Sequence, residues 1–157
     1  MDNDFNYHAM DPRASIDIYR HHLPHWRQPG VIYFATLRLT DSIPRLILEQ
    51  WQRDRKQWLS AHGLTDSMPP EEFRSRYERI PVGVRRAFER DHARRMHVEL
   101  DKCHGACPLR NPEAADILAQ AMHFHHNTRL HCGDFVIMPN HAHWLLVPYP
   151  DNDLEDL

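Results

Sequence analysis

His141-Ala142-His143 places two imidazoles one residue apart, inside the run Phe135-Val136-Ile137-Met138-Pro139-Asn140-His141-Ala142-His143-Trp144-Leu145-Leu146-Val147. The run is rich in apolar and β-branched residues and reads as a strand, in which side chains at i and i+2 share a face. Both rings then point the same way and suit one bound metal ion, imidazole being a common ligand of divalent transition metals. The flanking residues are apolar enough for the middle of a sheet, so the ion would rest on a rigid floor rather than on a mobile loop. Histidine is frequent here, 14 of 157 residues. Solvated or hydrogen-bonded imidazoles are therefore the alternative use of such a pair.

A second set of metal-ligand types competes with the first. Cys103-His104-Gly105-Ala106-Cys107, together with His125, His126, His131 and Cys132, supplies enough thiolates and imidazoles for a structural zinc ion. The later members lack a regular spacing, and the alternative for Cys107 is a buried, inert thiol.

The run Met138-Pro139-Asn140-His141-Ala142-His143, followed by apolar Trp144-Leu145-Leu146-Val147, resembles the M-P-N-H-x-H signature of the REP-associated tyrosine transposases. These belong to the HUH superfamily of single-stranded DNA nucleases, in which U is a hydrophobic residue; Ala142 fills that position. Two earlier blocks resemble the same family in order and spacing. His25-Trp26-Arg27-Gln28-Pro29-Gly30, with Tyr33-Phe34-Ala35-Thr36-Leu37-Arg38-Leu39, looks like its opening turn and first strand. His104-Gly105-Ala106-Cys107-Pro108-Leu109-Arg110-Asn111-Pro112 looks like the stretch before its second core helix. The resemblance covers roughly residues 20 to 157.

That resemblance implies a DNA transposase that cleaves and rejoins single-stranded or hairpin DNA. A tyrosine oxygen would attack a phosphate, leaving a 5′-phosphotyrosine bond and a free 3′-hydroxyl that can later reverse the step. Tyrosine is a poor nucleophile near neutrality, so a divalent cation on His141 and His143 would polarise the scissile phosphate. Magnesium or manganese is implied, and two imidazoles favour manganese. Asn140 either orients the turn or a phosphate oxygen, or closes a Pro-Asn turn through its own side chain. Thr36, Arg38, Arg85 and Arg86 are candidate DNA contacts.

The resemblance also places the nucleophilic tyrosine and a third polar metal ligand on a helix after the HUH strand. Here Pro148-Tyr149-Pro150-Asp151-Asn152-Asp153 would supply the loop, Asp153 the cap, and Leu154 and Leu157 the start of an apolar face. A helix of one turn is not stable, because nucleation is incurred without propagation. The expectation is a catalytic domain over residues 25–157 that is incomplete at its C-terminus and inactive alone, preceded by an arm over residues 1–24. Tyr7, Tyr19, Tyr33, Tyr77 and Tyr149 all fall outside the nucleophile position; Tyr149 is the nearest. A non-catalytic nucleic-acid-binding remnant and a zinc-stabilised interaction domain are the alternative functions.

Composition bounds these readings. The net charge is −3, unexpected for a protein that grips a polyanion. Residues 151–157 carry four acids and no base, so without them the balance becomes +1. Arg74, Arg76, Arg79, Arg85, Arg86, Arg90, Arg94 and Arg95 are interleaved with Glu71, Glu72, Glu78, Glu89 and Asp91. Such a mixed run reads as a solvated helix surface or as one wall of a DNA groove. No apolar stretch approaches the roughly 20 residues of a bilayer span, and the polar start lacks a signal peptide. Three cysteines are too few for a disulfide framework. The expected location is the cytoplasm, with no membrane partner; monomer and homodimer both stay open.

The elements that must position the histidines follow from pattern. Residues 31 to 39 alternate as a strand. Ser42 and Pro44 open a helix whose stripe is Ile47, Leu48, Trp51, Trp58 and Leu59, ending near Gly63. Its tryptophans read as core. After a loop at 65 to 70, Pro69-Pro70-Glu71-Glu72 starts a helical region that Pro81 and Gly83 interrupt before it resumes to about Leu100. Asn111 and Pro112 cap a helix with Ile117, Leu118, Ala121, Met122 and His125 on one face. Strands follow around Thr128 to Asp134 and Phe135 to Val147. Together these suggest an α+β sandwich with helices on one face of an antiparallel sheet. The resemblance narrows this to the ferredoxin-like or RRM-like arrangement, with the His pair on the face opposite most core helices.

Overall fold

The computed structural model describes residues 17–20, 24–27 and 30–149. Its elements are β1 (Asp17–Arg20), β2 (Pro24–Arg27), β3 (Tyr33–Arg38), α1 (Arg45–Ala61), α2 (Pro70–Arg79), α3 (Val82–Asp101), α4 (Pro112–His123), β4 (Leu130–Ile137) and β5 (His141–Pro148). The fold is α+β, with antiparallel strand pairs throughout. Two compact units share the chain: residues up to Leu39 with those from Cys107, and the segment Thr40–Ala106.

In the first unit, β5 is the central strand of a three-stranded sheet ordered β3-β5-β4. Its even positions explain why it folds there. Trp144 and Leu146, with Cys132 and Leu130 of β4 and Met122 of α4, form a buried cluster joined by Tyr33, Ala35, Leu118 and Phe135. Burying side chains of this size contributes about 1.5–3 kcal/mol each, enough to fix the strand's facing, because a one-residue slip would send the whole set to the other side. α4 thus covers one face and His141 and His143, at odd positions, belong to the other. Asn111 caps α4 as expected, its side-chain oxygen accepting from Glu113 N–H at 3.0 Å. Ile117, however, is 69% exposed and lies off the packed face. The expected arm is described only at β1 and Pro24, where the backbone is extended and paired with Arg27 to Pro24 of β2; its remainder, and the expected cap at Asp153 with Leu154 and Leu157, lie outside the described residues.

One boundary differs from the sequence expectation in a way that matters. Phe135 to Val147 is not a single strand: the chain turns at Met138–Asn140, and Met138 N–H donates to His141 O at 2.8 Å. Pro139 supplies no N–H and Asn140 tolerates a turn, which outweighs the apolar run around them. The two histidines therefore open β5 instead of lying in mid-strand.

The second unit is helical. Leu59, Leu64, Phe73, Tyr77 and Ile80 form one core, with Trp58 and Met68 against it; Ile43, Trp51 and Leu100 form another, flanked by Ile47, Leu48 and Met96. The tryptophans are core residues, as expected. Ser42 is not the cap of α1. It is fully buried, and Pro44, extended at ψ 136°, is the cap residue, its carbonyl accepting from Ile47 and Leu48 N–H. Gly83 does not interrupt α3 either. Pro81 alone makes the break, and Gly83 sits in the first turn of α3, where backbone N–H groups have no helical partner in any case. Among the described residues no helix is long and apolar enough to cross a membrane.

Candidate metal centre

The hairpin between β4 and β5 is tied down on both sides. Pro139 O accepts from Leu109 N–H at 3.2 Å, and Asn140 O from Leu39 N–H at 3.1 Å. Asn140 is fully buried and His141 is 2% exposed. The Asn140 side-chain oxygen lies 2.8 Å from His141 Nδ1, a role outside both sequence alternatives for this residue. Because that oxygen only accepts, the ring nitrogen facing it carries the proton.

His143 is held from across the sheet. In the β3–β5 register Thr36 opposes His143 and Arg38 opposes His141. Opposed residues share a face, and Thr36 Oγ1 reaches His143 Nδ1 at 3.1 Å. The Phe34 ring stacks on the same imidazole, 5.0 Å between centroids and 22° between planes. Phe34 is 59% exposed, and Val136, which opposes His143 from β4, is 49% exposed.

The two imidazoles are 4.8 Å apart at their centroids and inclined at 77°. An ion at about 2.1 Å from one nitrogen of each ring would place the ring centres roughly 4.5–6 Å apart for such inclinations. The observed separation lies in that window and is also that of an edge-to-face contact between the two rings. Among the described residues no third His, Cys, Asp or Glu completes a metal-ligating group. A cation on two imidazoles alone keeps coordination positions for water or a phosphate oxygen.

Other sequence candidates are placed elsewhere. Arg85 donates from Nε to Ile80 O at 3.0 Å, and its guanidinium lies 5.3 Å from the Tyr77 ring centre, while Arg86 is exposed on α3. Much of the arginine run is answered by nearby acids, Arg74 by Glu78, Arg76 by Glu72, Arg94 by Asp91 and Arg95 by Asp91 within their own helices, and Arg95 also by Asp54 of α1. The zinc alternative gathers no three ligands among the described residues. Cys132 Sγ instead accepts from the Trp144 indole at 3.2 Å, His126 Nδ1 accepts from Cys132 N–H, and His104 lies 3.2 Å from Glu99.

Three tyrosines have described side chains. Tyr33 packs into the cluster under α4. Tyr77 donates to Glu89 at 2.6 Å, and burial, then that hydrogen bond, raises its pKa above the usual phenol value, the wrong direction for a nucleophile. Tyr149 follows the far end of β5, its N–H on Arg129 O; six residues at about 3.4 Å each put it roughly 20 Å along the strand from His143. Phe34 and the Thr36 contact were not read from sequence as parts of the His site. Their signal was the alternation 34, 36, 38 along β3, but only the register shows which residue of β5 each one meets. In comparison with known proteins, no family model matches the chain, and no curated protein and no solved structure is significantly similar to it.

Proposed function

We propose that the β3-β5-β4 sheet is the phosphate-activating face of a ferredoxin-like, HUH-type domain of the transposase class, acting in the cytoplasm on single-stranded or hairpin DNA. The observation that carries this is the His141–His143 pair, adjacent at 4.8 Å and each anchored through Nδ1. The pair would hold a divalent cation, manganese in preference to magnesium, which when bound supplies charge stabilisation at a scissile phosphate. Arg38, exposed on the same face, attracts the phosphate backbone. Phe34 offers its exposed ring to a neighbouring base, since stacking is the sequence-tolerant way of holding single strands. Cleavage and rejoining would run through a phosphotyrosine, and that tyrosine is none of Tyr33, Tyr77 and Tyr149.

The placement of those three tyrosines favours a second reading, a metal-dependent single-strand-binding module without strand transfer. One experiment separates the two. The chain and a version of it continued to the natural stop codon are each incubated with manganese and a 3′-labelled hairpin oligonucleotide with single-stranded flanks, with and without His141→Ala, and followed by anisotropy and on denaturing gels. A covalent adduct lost in His141→Ala supports the transferase. Manganese-dependent binding without an adduct supports the module. Neither binding nor adduct overturns both.

A further inference from the structure

The structure assigns Thr36 as a positioning residue for His143: its hydroxyl fixes the imidazole so that Nε2 is the nitrogen offered to the cation. The inference rests on the metal-binding reading above and goes further by naming the coordinating atoms and the residue that selects them.

The two anchors are chemically unequal. Asn140 Oδ1 only accepts, so at 2.8 Å it holds His141 as the Nδ1–H form, whose Nε2 lone pair can bind an ion. Thr36 Oγ1, 3.1 Å from His143 Nδ1, both donates and accepts, and so tolerates either tautomer of His143. Binding an ion through Nε2 requires Nδ1–H, and Thr36 then turns its hydroxyl to accept. A metal-ligating imidazole commonly donates its other ring N–H to an oxygen in this way, which fixes its orientation and raises its basicity. Phe34, stacked nearly parallel at 22°, limits rotation of the ring out of its plane. Asn140 anchors its own neighbour from the turn, whereas Thr36 reaches across the β3–β5 ladder, 107 residues away in sequence. The geometry of the pair therefore depends on strand register.

The test compares Thr36→Val, which keeps the β-branched shape and loses the hydroxyl, with Thr36→Ser, which keeps the hydroxyl. Manganese affinity is read from the free-ion electron paramagnetic resonance signal, on the full chain. Thr36→Val should weaken binding about 10- to 100-fold, the usual cost of removing such a partner, while Thr36→Ser stays within about threefold of the parent. Side-chain nitrogen NMR of the metal-free proteins gives a second readout, with His141 in the Nδ1–H form throughout and the His143 tautomer balance altered only by Thr36→Val. If the parent binds manganese and His141→Ala abolishes it, yet Thr36→Val binds like the parent with an unchanged His143 spectrum, the assignment of Thr36 is overturned and the metal site stands. If the parent does not bind manganese, the metal site itself is overturned.

Discussion

Thr36 stands directly opposite His143 in the β3–β5 ladder, its hydroxyl 3.1 Å from the imidazole Nδ1. His141 is held differently, by the residue just before it: Asn140 Oδ1 lies 2.8 Å from His141 Nδ1. One ring is thus fixed across the sheet and the other from the turn. Both members of the second contact are buried, so Asn140→Ala should strand a ring N–H away from water and cost about 1–3 kcal/mol. Urea denaturation should show a lower midpoint with an unchanged slope. An unchanged midpoint would show that the Asn140 side chain contributes no net stability.

Phe34 should matter to DNA and not to folding. Its ring is 59% exposed and packs on His143, so Phe34→Ala removes little buried area. Loss of one base-stacking platform is worth about 1–3 kcal/mol, a 5- to 150-fold weaker affinity for a single-stranded oligonucleotide by anisotropy at fixed salt. Manganese affinity should fall far less. Equal oligonucleotide affinity in parent and variant would exclude the ring as a contact.

What the sequence made legible was local. The i, i+2 spacing of His141 and His143, the cap at Asn111 and the break at Pro81 each follow from a few neighbouring residues, and all three appear in the structure. The facing of β5 was expected only from the family resemblance; in the structure Trp144 and Leu146 turn to the cluster that includes Met122 of α4. Register was not legible: nothing in Tyr33 to Arg38 says that Thr36 meets His143, since the ladder is set by packing under α4 and by a hairpin 100 residues away. The turn at Met138–Asn140 was half legible, because Pro139-Asn140 reads as a turn pair while the run from Phe135 to Val147 reads as one strand. An apolar run on both sides of Pro139 looks continuous until the missing N–H of the proline is counted. The division at Thr40 and Ala106 was not read from sequence, although Gly105 and Pro108 flank its second end.

The β4–β5 register carries an irregularity between Cys132 and Phe135, and Gly133 sits in it. A Cβ there would lie 2.9 Å from Leu145 O and 3.3 Å from Leu145 Cβ, and the carbonyl belongs to the central strand and cannot swing aside. Gly133→Ala should cost about 1–3 kcal/mol through overpacking. Gly83→Ala is the control of opposite sign. Nothing lies within 4 Å of its added Cβ, and replacing a helical glycine should stabilise by about 0.4–1 kcal/mol. Native-state hydrogen exchange reads both, as faster exchange at β4 and β5 amides in the first variant and slower exchange in α3 in the second.

His92 gives the second unit a pH dependence whose sign can be worked out. Burial is the largest cause holding its pKa below the ordinary 6.5, with Arg95 and Arg55 adding to it and Asp91 opposing. The unfolded chain therefore takes up this proton before the folded one does. The stabilising contribution is complete above about pH 6.5 and is lost as pH falls from there through the folded value. The ring also meets Trp51 edge-on at 5.7 Å, a contact that His92→Phe keeps while removing the titration. Melting temperatures between about pH 7.5 and pH 5.5 should fall less in His92→Phe than in the parent, with the two proteins diverging only below about pH 6.5. Parallel curves across the window would mean that the folded and unfolded chains bind this proton equally well, and that the buried imidazole is no source of acid sensitivity.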